Sequence, residues 1–169
     1  EKMKVPAYKI ASFELPDPEL LKKIAHTKKP VIISRGMATK NELREAIAVL
    51  RKNGTKQIAI LHCVSSYPAK PEEMNLATIA DLKKKFNIVS GLSDHSLVTS
   101  IAVAAVALGA SIIEKHFTLK RSDGGFDAAF SLEPKELKEL VNSVRDVEKA
   151  IGKARYSLTR GEKENITFR

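Results

Sequence analysis

Two histidines stand where short apolar runs stop. His95 closes GLSDH and His116 closes IIEKH, with an alanine-rich helical segment between them. The two runs read as parallel strands joined by one crossover, so both imidazoles fall at strand carboxyl ends, where α/β proteins assemble their sites. A pair of neutral imidazoles can hold a divalent ion and leave positions open for water and a substrate oxygen. An oxygen-rich shell of that kind suits Mn²⁺ or Mg²⁺. Ordinary hydrogen-bonded histidines are the competing explanation for the pair. His62, inside an apolar run, reads as a core residue, and His26, near a helix end, as a surface one.

Other polar residues recur at the ends of the remaining apolar runs. They are Lys9, Ser12 and Glu14; then Ser34; then Cys63, Ser65 and Tyr67; then Ser93 and Asp94; then Lys115. Lys9 and Lys115 are candidate partners for a phosphate or carboxylate, with Ser12, Ser34 and Ser93 as neutral donors. Glu14 has the chemistry of an acid, a base or a cation stabiliser, and equally that of an exposed loop carboxylate. Asp127, in the Gly-Gly-Phe-Asp loop, is a candidate for binding substrate hydroxyls. Cys63 has no convincing His or Asn partner and reads as a buried, inert thiol.

Five strand–helix units must position these groups. Tyr8–Ser12 is the first strand candidate, followed by a helix that Asp17 caps and Pro18 starts. KPVIIS is a second strand of the doubly buried type, and Thr39 with Glu42 forms a capping box for the next helix. QIAILHC and NIVSGLSDH are the third and fourth strands, with a short helix through Leu76, Ile79, Leu82 and Phe86 between them. Leu97 to Leu108 is apolar all round and predicts a well-buried helix closed by Gly109. ASIIEKHFTL is the fifth strand; a polar loop then leads to Pro134 and a long amphipathic helix ending at Gly152. Residues 153–169 show no period and read as a tail or linker. Such alternation demands a parallel sheet with right-handed crossovers, which a doubly wound sheet and a (β/α)₈ barrel both satisfy. No G-x-G-x-x-G or P-loop follows any strand, which weakens a nucleotide-binding reading. Five units are too few to close an eight-stranded barrel.

Composition narrows the classes. The 169 residues fit one domain, with 43% hydrophobic and 29% charged residues, the balance of a water-soluble globular chain. No apolar run suggests a membrane span, and the N-terminal residues lack the pattern of a signal peptide. One cysteine fits a reducing compartment, so a cytoplasmic location is the expectation. The net charge of +9 permits nucleic-acid binding. The basic residues are scattered over helices, however, and tryptophan is absent, so a solvated surface around an anion-binding mouth is the simpler account.

Taken in order, YKIASFE, VIISRGM, LHCVSSYP, GLSDHS, EKHFTL and DAAFSLEP resemble the sialic acid synthase family, with the last closest to its pseudaminic acid synthase branch. The resemblance implies a TIM barrel, represented here by about strands four to eight over residues 1–152. Residues 153–169 would then lead toward an antifreeze-like domain, and the full-length protein would be a homodimer. It also implies condensation of phosphoenolpyruvate with an N-acetylated hexosamine. A metal polarises the open-chain aldehyde, C3 of phosphoenolpyruvate attacks it, the cation at C2 takes water, and phosphate leaves with C–O cleavage. His95 and His116 match the metal ligands. Lys9, Ser12, Ser34, Ser93 and Lys115 match residues around phosphoenolpyruvate, Glu14 the acid near the reacting carbon, and Tyr67 and Asp127 positions facing the sugar. Two residues depart from the pattern: Arg35 stands in place of a usual threonine, and Lys120 in place of a frequent acid. The five units alone are expected to have little or no synthase activity. A Schiff-base aldolase, another phosphate-binding barrel and a non-catalytic basic module are the competing readings.

Overall fold

A computed structural model describes residues 3–169. Its strands are β1 (Tyr8–Ile10), β2 (Val31–Ser34), β3 (Ile58–Cys63), β4 (Val89–Asp94) and β5 (Ile113–Lys115). All pair in parallel, in the order β1-β2-β3-β4-β5. The helices are α1 (Pro18–Ala25), α2 (Lys40–Lys52), α3 (Ala77–Phe86), α4 (Thr99–Ala107), α5 (Pro134–Ile151) and a short α6 (Arg160–Asn165).

The caps act as their sequences direct. Asp17 accepts hydrogen bonds from the Glu19 and Leu20 amides, with Pro18 in the first turn of α1. Thr39 and Glu42 close a reciprocal capping box on α2. At the start of α5 the Glu133 amide donates to the Glu136 carboxylate at 2.8 Å.

Alternation along the strands separates two faces. Ile10, Val31, Ile33 and Ile60 pack outward against Leu21 and Ile24 of α1, Leu43, Ala46, Ile47 and Leu50 of α2, and Leu82 of α3. Leu92 continues this layer against Ile79 and Ala105, and Ala102 packs with Leu132 and Leu140. The residues between them on each strand face the other way, toward a side that carries no helix. That inner face is concave. A flat sheet would hold β1 and β5 about 19 Å apart, yet Lys9 Nζ on β1 lies 3.5 Å from Glu114 Oε1 on β5. Sequential order, parallel pairing and this curl make the chain a half-barrel of the TIM type. Gly91 lies on the inner face, where a Cβ would strike the Ile112 carbonyl and the Leu61 side chain.

One expectation is corrected and one is refined. The apolar segment 97–108 is buried on one side only: Ala102, Ala105 and Val106 face inward while Leu97, Val98 and Leu108 are exposed. Helix α4 packs on β4 and α5, which leaves part of its circumference uncovered. The tail 153–169 is not wholly irregular, since Thr159 and Glu162 form a capping box that starts α6. A helix of six residues is too short to display a 3.6-residue period. Among the described residues, no helix is long and apolar enough to cross a membrane.

Candidate functional site

The carboxyl ends of the strands gather two groups of side chains. The first is polar and lies on the inner face. Ser93 Oγ donates to Glu114 Oε1 at 2.7 Å, and the same carboxylate oxygen sits 3.5 Å from Lys9 Nζ. Lys9 also donates to the Ile10 carbonyl at 3.2 Å. Ser12 and Ser65 share a hydrogen bond of 3.0 Å between their hydroxyl oxygens. The Cys63 thiol lies beside Ser93 and Ser65 and links the two arrangements; burial pushes it upward from its ordinary pKa, so it stays protonated. Ser34 is 2% exposed and its hydroxyl has no partner among the described residues. An orphaned buried donor on the strand face that also carries Lys9 fits an anionic oxygen.

The second group is aromatic. His95 is buried, and its Nδ1 lies 2.8 Å from the Val64 carbonyl. That contact assigns the proton to Nδ1 and leaves Nε2 as a free acceptor. Burial lowers the His95 pKa, which favours the neutral ring. The His95 and His116 ring centroids are 5.3 Å apart. Two imidazoles bound to one ion at metal–nitrogen distances of about 2.1 Å have centroids about 5 Å apart, so the pair fits a divalent cation. Tyr67 stacks on His95 with centroids 4.3 Å apart, and Phe130 meets His116 edge to face at 5.0 Å. Asp127 Oδ2 lies 3.5 Å from His116 Nδ1. No cluster of three or more His, Cys, Asp or Glu arranged for a metal occurs among the described residues.

Not every expected residue joins these groups. Lys115 points to the helix-facing side, where its ammonium lies 3.2 Å from Asp94 Oδ2 and donates to the Ser96 carbonyl at 2.5 Å. Strand alternation is the reason: Glu114 and His116 turn inward, and Lys115 between them turns outward. Lys115 is therefore an interior ion-pair residue, against the expectation that it contacts substrate phosphate. Glu14 is exposed in the turn after β1 and folds its carboxylate onto the Ala11 amide at 2.7 Å. It shares that turn with Ser12 and makes no ion pair with Lys9. Arg35 also turns away from the inner face, donating to the Ala38 carbonyl at 3.1 Å and lying 3.5 Å from His62 Nδ1. The departure at this position therefore does not remove a side chain from the polar group. Lys120 is exposed. His62 is a core residue as expected, with Nε2 2.5 Å from the Met74 carbonyl.

Glu114 is the residue the sequence reading missed. A signal for it existed: it stands two positions before His116, so the two share a strand face.

The NeuB family model matches residues 1–156. The chain belongs to the NeuB family. It is 45% identical over 163 residues to N,N'-diacetyllegionaminic acid synthase of Campylobacter jejuni, covering 95% of this chain and 49% of that protein. Pseudaminic acid synthase of the same organism is 44% identical over 162 residues, covering 96% and 47%. Identity thus does not separate these two relatives. The crystal structure of N-acetylneuraminic acid (sialic acid) synthetase from Leptospira borgpetersenii, in complex with citrate, superposes with a TM-score of 0.88 at 39% identity, covering 99% of this chain and 59% of that one. The chain spans about half the length of the curated relatives it matches. This NeuB family chain thus has the fold of about half of a sialic acid synthase-type barrel.

Proposed function

We propose that this NeuB family chain supplies one half of a nonulosonic acid synthase barrel, which condenses phosphoenolpyruvate with an N-acetylated hexosamine aldehyde and releases phosphate. The observation that carries the reading is the meeting of two faced imidazoles, 5.3 Å apart, with a lysine–hydroxyl group on the same concave face. Lys9, Ser12, Ser34 and Ser93 bind the phosphate and carboxylate oxygens of phosphoenolpyruvate, with Lys9 supplying charge and the hydroxyls direction. Glu114 holds Lys9 and Ser93 in place before the anion arrives. Glu14, at the mouth, stabilises the cation that develops at C2, which then takes water as phosphate leaves by C–O cleavage. Tyr67 and Asp127 face the sugar. His95 and His116 would hold Mn²⁺ or Mg²⁺, which when bound supplies Lewis-acid polarisation and orientation of the aldehyde oxygen. In the full-length protein the site is completed by the remaining strands and a second subunit.

Calorimetric titration tests both ligands. Mn²⁺ affinity falls at least tenfold in His95→Ala and in His116→Ala, and phosphoenolpyruvate affinity falls at least tenfold in Lys9→Met. Unchanged Mn²⁺ affinity in both histidine variants removes the metal from the reading, and unchanged phosphoenolpyruvate affinity removes the anion site. The 169-residue chain alone shows little or no synthase turnover; steady-state turnover near that of a full-length relative would refute the half-site reading. Borohydride trapping of a keto acid on Lys9 would instead support a Schiff-base aldolase.

A further inference from the structure

The two imidazoles are held very unequally. His95 is 5% exposed and tied through Nδ1 to the Val64 carbonyl. The His116 side chain is 33% exposed, and among the described residues neither of its ring nitrogens has a hydrogen-bond partner; Asp127 Oδ2 comes no closer than 3.5 Å. What fixes the plane of His116 is packing, and of the three rings around it Phe130 comes nearest.

We propose that Phe130 is a positioning residue for His116. Its ring, 8% exposed, meets the imidazole at 5.0 Å and 78°, and meets Tyr67 at 5.2 Å and 51°. Tyr67 in turn covers His95 at 4.3 Å and stands edge-on to His116 at 6.2 Å. Phe130 is thus the apolar member of a group of four rings, packed on the loosely held histidine and on the tyrosine that covers the firmly held one. Edge-to-face contact resists rotation of the imidazole about its Cβ–Cγ bond, because turning would replace the ring's electropositive edge with its face.

The backbone gives Phe130 little freedom to follow His116 if the imidazole moves. The Leu132 amide donates to the His116 carbonyl at 2.9 Å, and the Thr118 amide to the Leu132 carbonyl at 3.0 Å. Ser131 Oγ donates to the Asp127 carbonyl at 2.7 Å. Arg121 clasps the far side, reaching the Ser131 carbonyl at 3.0 Å and both Glu136 carboxylate oxygens at 2.5 and 2.7 Å. The segment 127–132 therefore acts as a fixed jaw, with Asp127 at one nitrogen of His116 and Phe130 at its ring. The metal consequence rests on the two-imidazole reading above, whereas the orientation of His116 does not.

Two readouts on the 169-residue chain separate these. In metal-free protein, ¹³C relaxation of the histidine ring carbons reports an ordered His116 in wild type and a mobile one in Phe130→Leu and the volume-conserving Phe130→Met, with His95 unchanged. Titration with Mn²⁺ alone gives about tenfold weaker binding in both aliphatic variants, and binding near wild type in Phe130→Tyr, which keeps the ring. Leu50→Ala, in α2 and in the separate core cluster that packs β1–β3 on α1 and α2, controls for stability. It lowers the unfolding midpoint without moving either readout. Equal His116 mobility in wild type and both aliphatic variants would overturn the proposal, as would Leu50→Ala weakening Mn²⁺ as much as they do. An ordered wild-type His116 that Phe130 controls, in a chain that binds no Mn²⁺, would sink the metal reading and leave the positioning role standing.

Discussion

Asp94 and Lys115 show how one residue of strand parity changes a role. The Asp94 side chain is fully buried; one oxygen accepts from the Ser96 amide, and among the described residues the other has only the Lys115 ammonium as counter-charge. Removing one member of such a pair strands the other, at a cost of about 3–5 kcal/mol. Lys115→Met is therefore expected to lower the free energy of unfolding by that amount, read as a lower urea midpoint, while leaving phosphoenolpyruvate affinity in the folded fraction near wild type. The reverse result, intact stability with lost affinity, would return Lys115 to the substrate. His62 makes a separate prediction about pH. Burial lowers its pKa from 6.5, the Met74 carbonyl opposes that shift, and the nearby Arg35 charge adds to it. The unfolded chain then binds the proton more readily, so stability is full above about pH 6.5 and declines as pH falls toward the folded value. Urea midpoints at pH 7.5 and 5.5 should differ less in His62→Gln than in wild type. Glu136 acts in another window: the Arg121 hydrogen bond brings it to about 2 from 4.5, so its contribution is lost only between those values.

Elements show which signals the sequence carried. The caps Asp17, Thr39 and Pro134 mark helix starts with local chemistry, and the helices begin there. Strand parity was harder to read in IIEKH, because Ile112 and Ile113 are both apolar and mark neither face as the buried one. That ambiguity is why Lys115 stood for Glu114. The four-ring group was also invisible, since Tyr67, His95, His116 and Phe130 come from separate loops and strand ends. The turn after β2 belongs to this scale too. Gly36 has φ +47°, and a Cβ there would overlap the Ser12 side chain and crowd Ser65 Oγ. Gly36→Ala is expected to cost about 1–2 kcal/mol for the left-handed conformation and to break the Ser12–Ser65 hydrogen bond. Titration should show weaker phosphoenolpyruvate binding with Mn²⁺ binding unchanged. Equal loss of both ligands would mean a general collapse of the sheet edge.

The molecule as a whole is a run of neighbours. Each strand pairs only with the strands before and after it in the chain, from β1 to β5. Among the described residues, β1 and β5 share no backbone pairing and meet through the side-chain bridge between Lys9 and Glu114. Cooperativity in such an arrangement passes from unit to unit, as in a stacked repeat. Protection against hydrogen exchange should then be graded by position and not all-or-none. The Ile60 and Leu61 amides of β3, with strands on both sides, should exchange most slowly, and the β1 and β5 amides fastest. Uniform protection across the five strands would refute this. The sequential strand order therefore makes the two ends of the half-barrel its softest parts, and Lys9 and Glu114, the two side chains that meet across the concave face, come from those two soft strands.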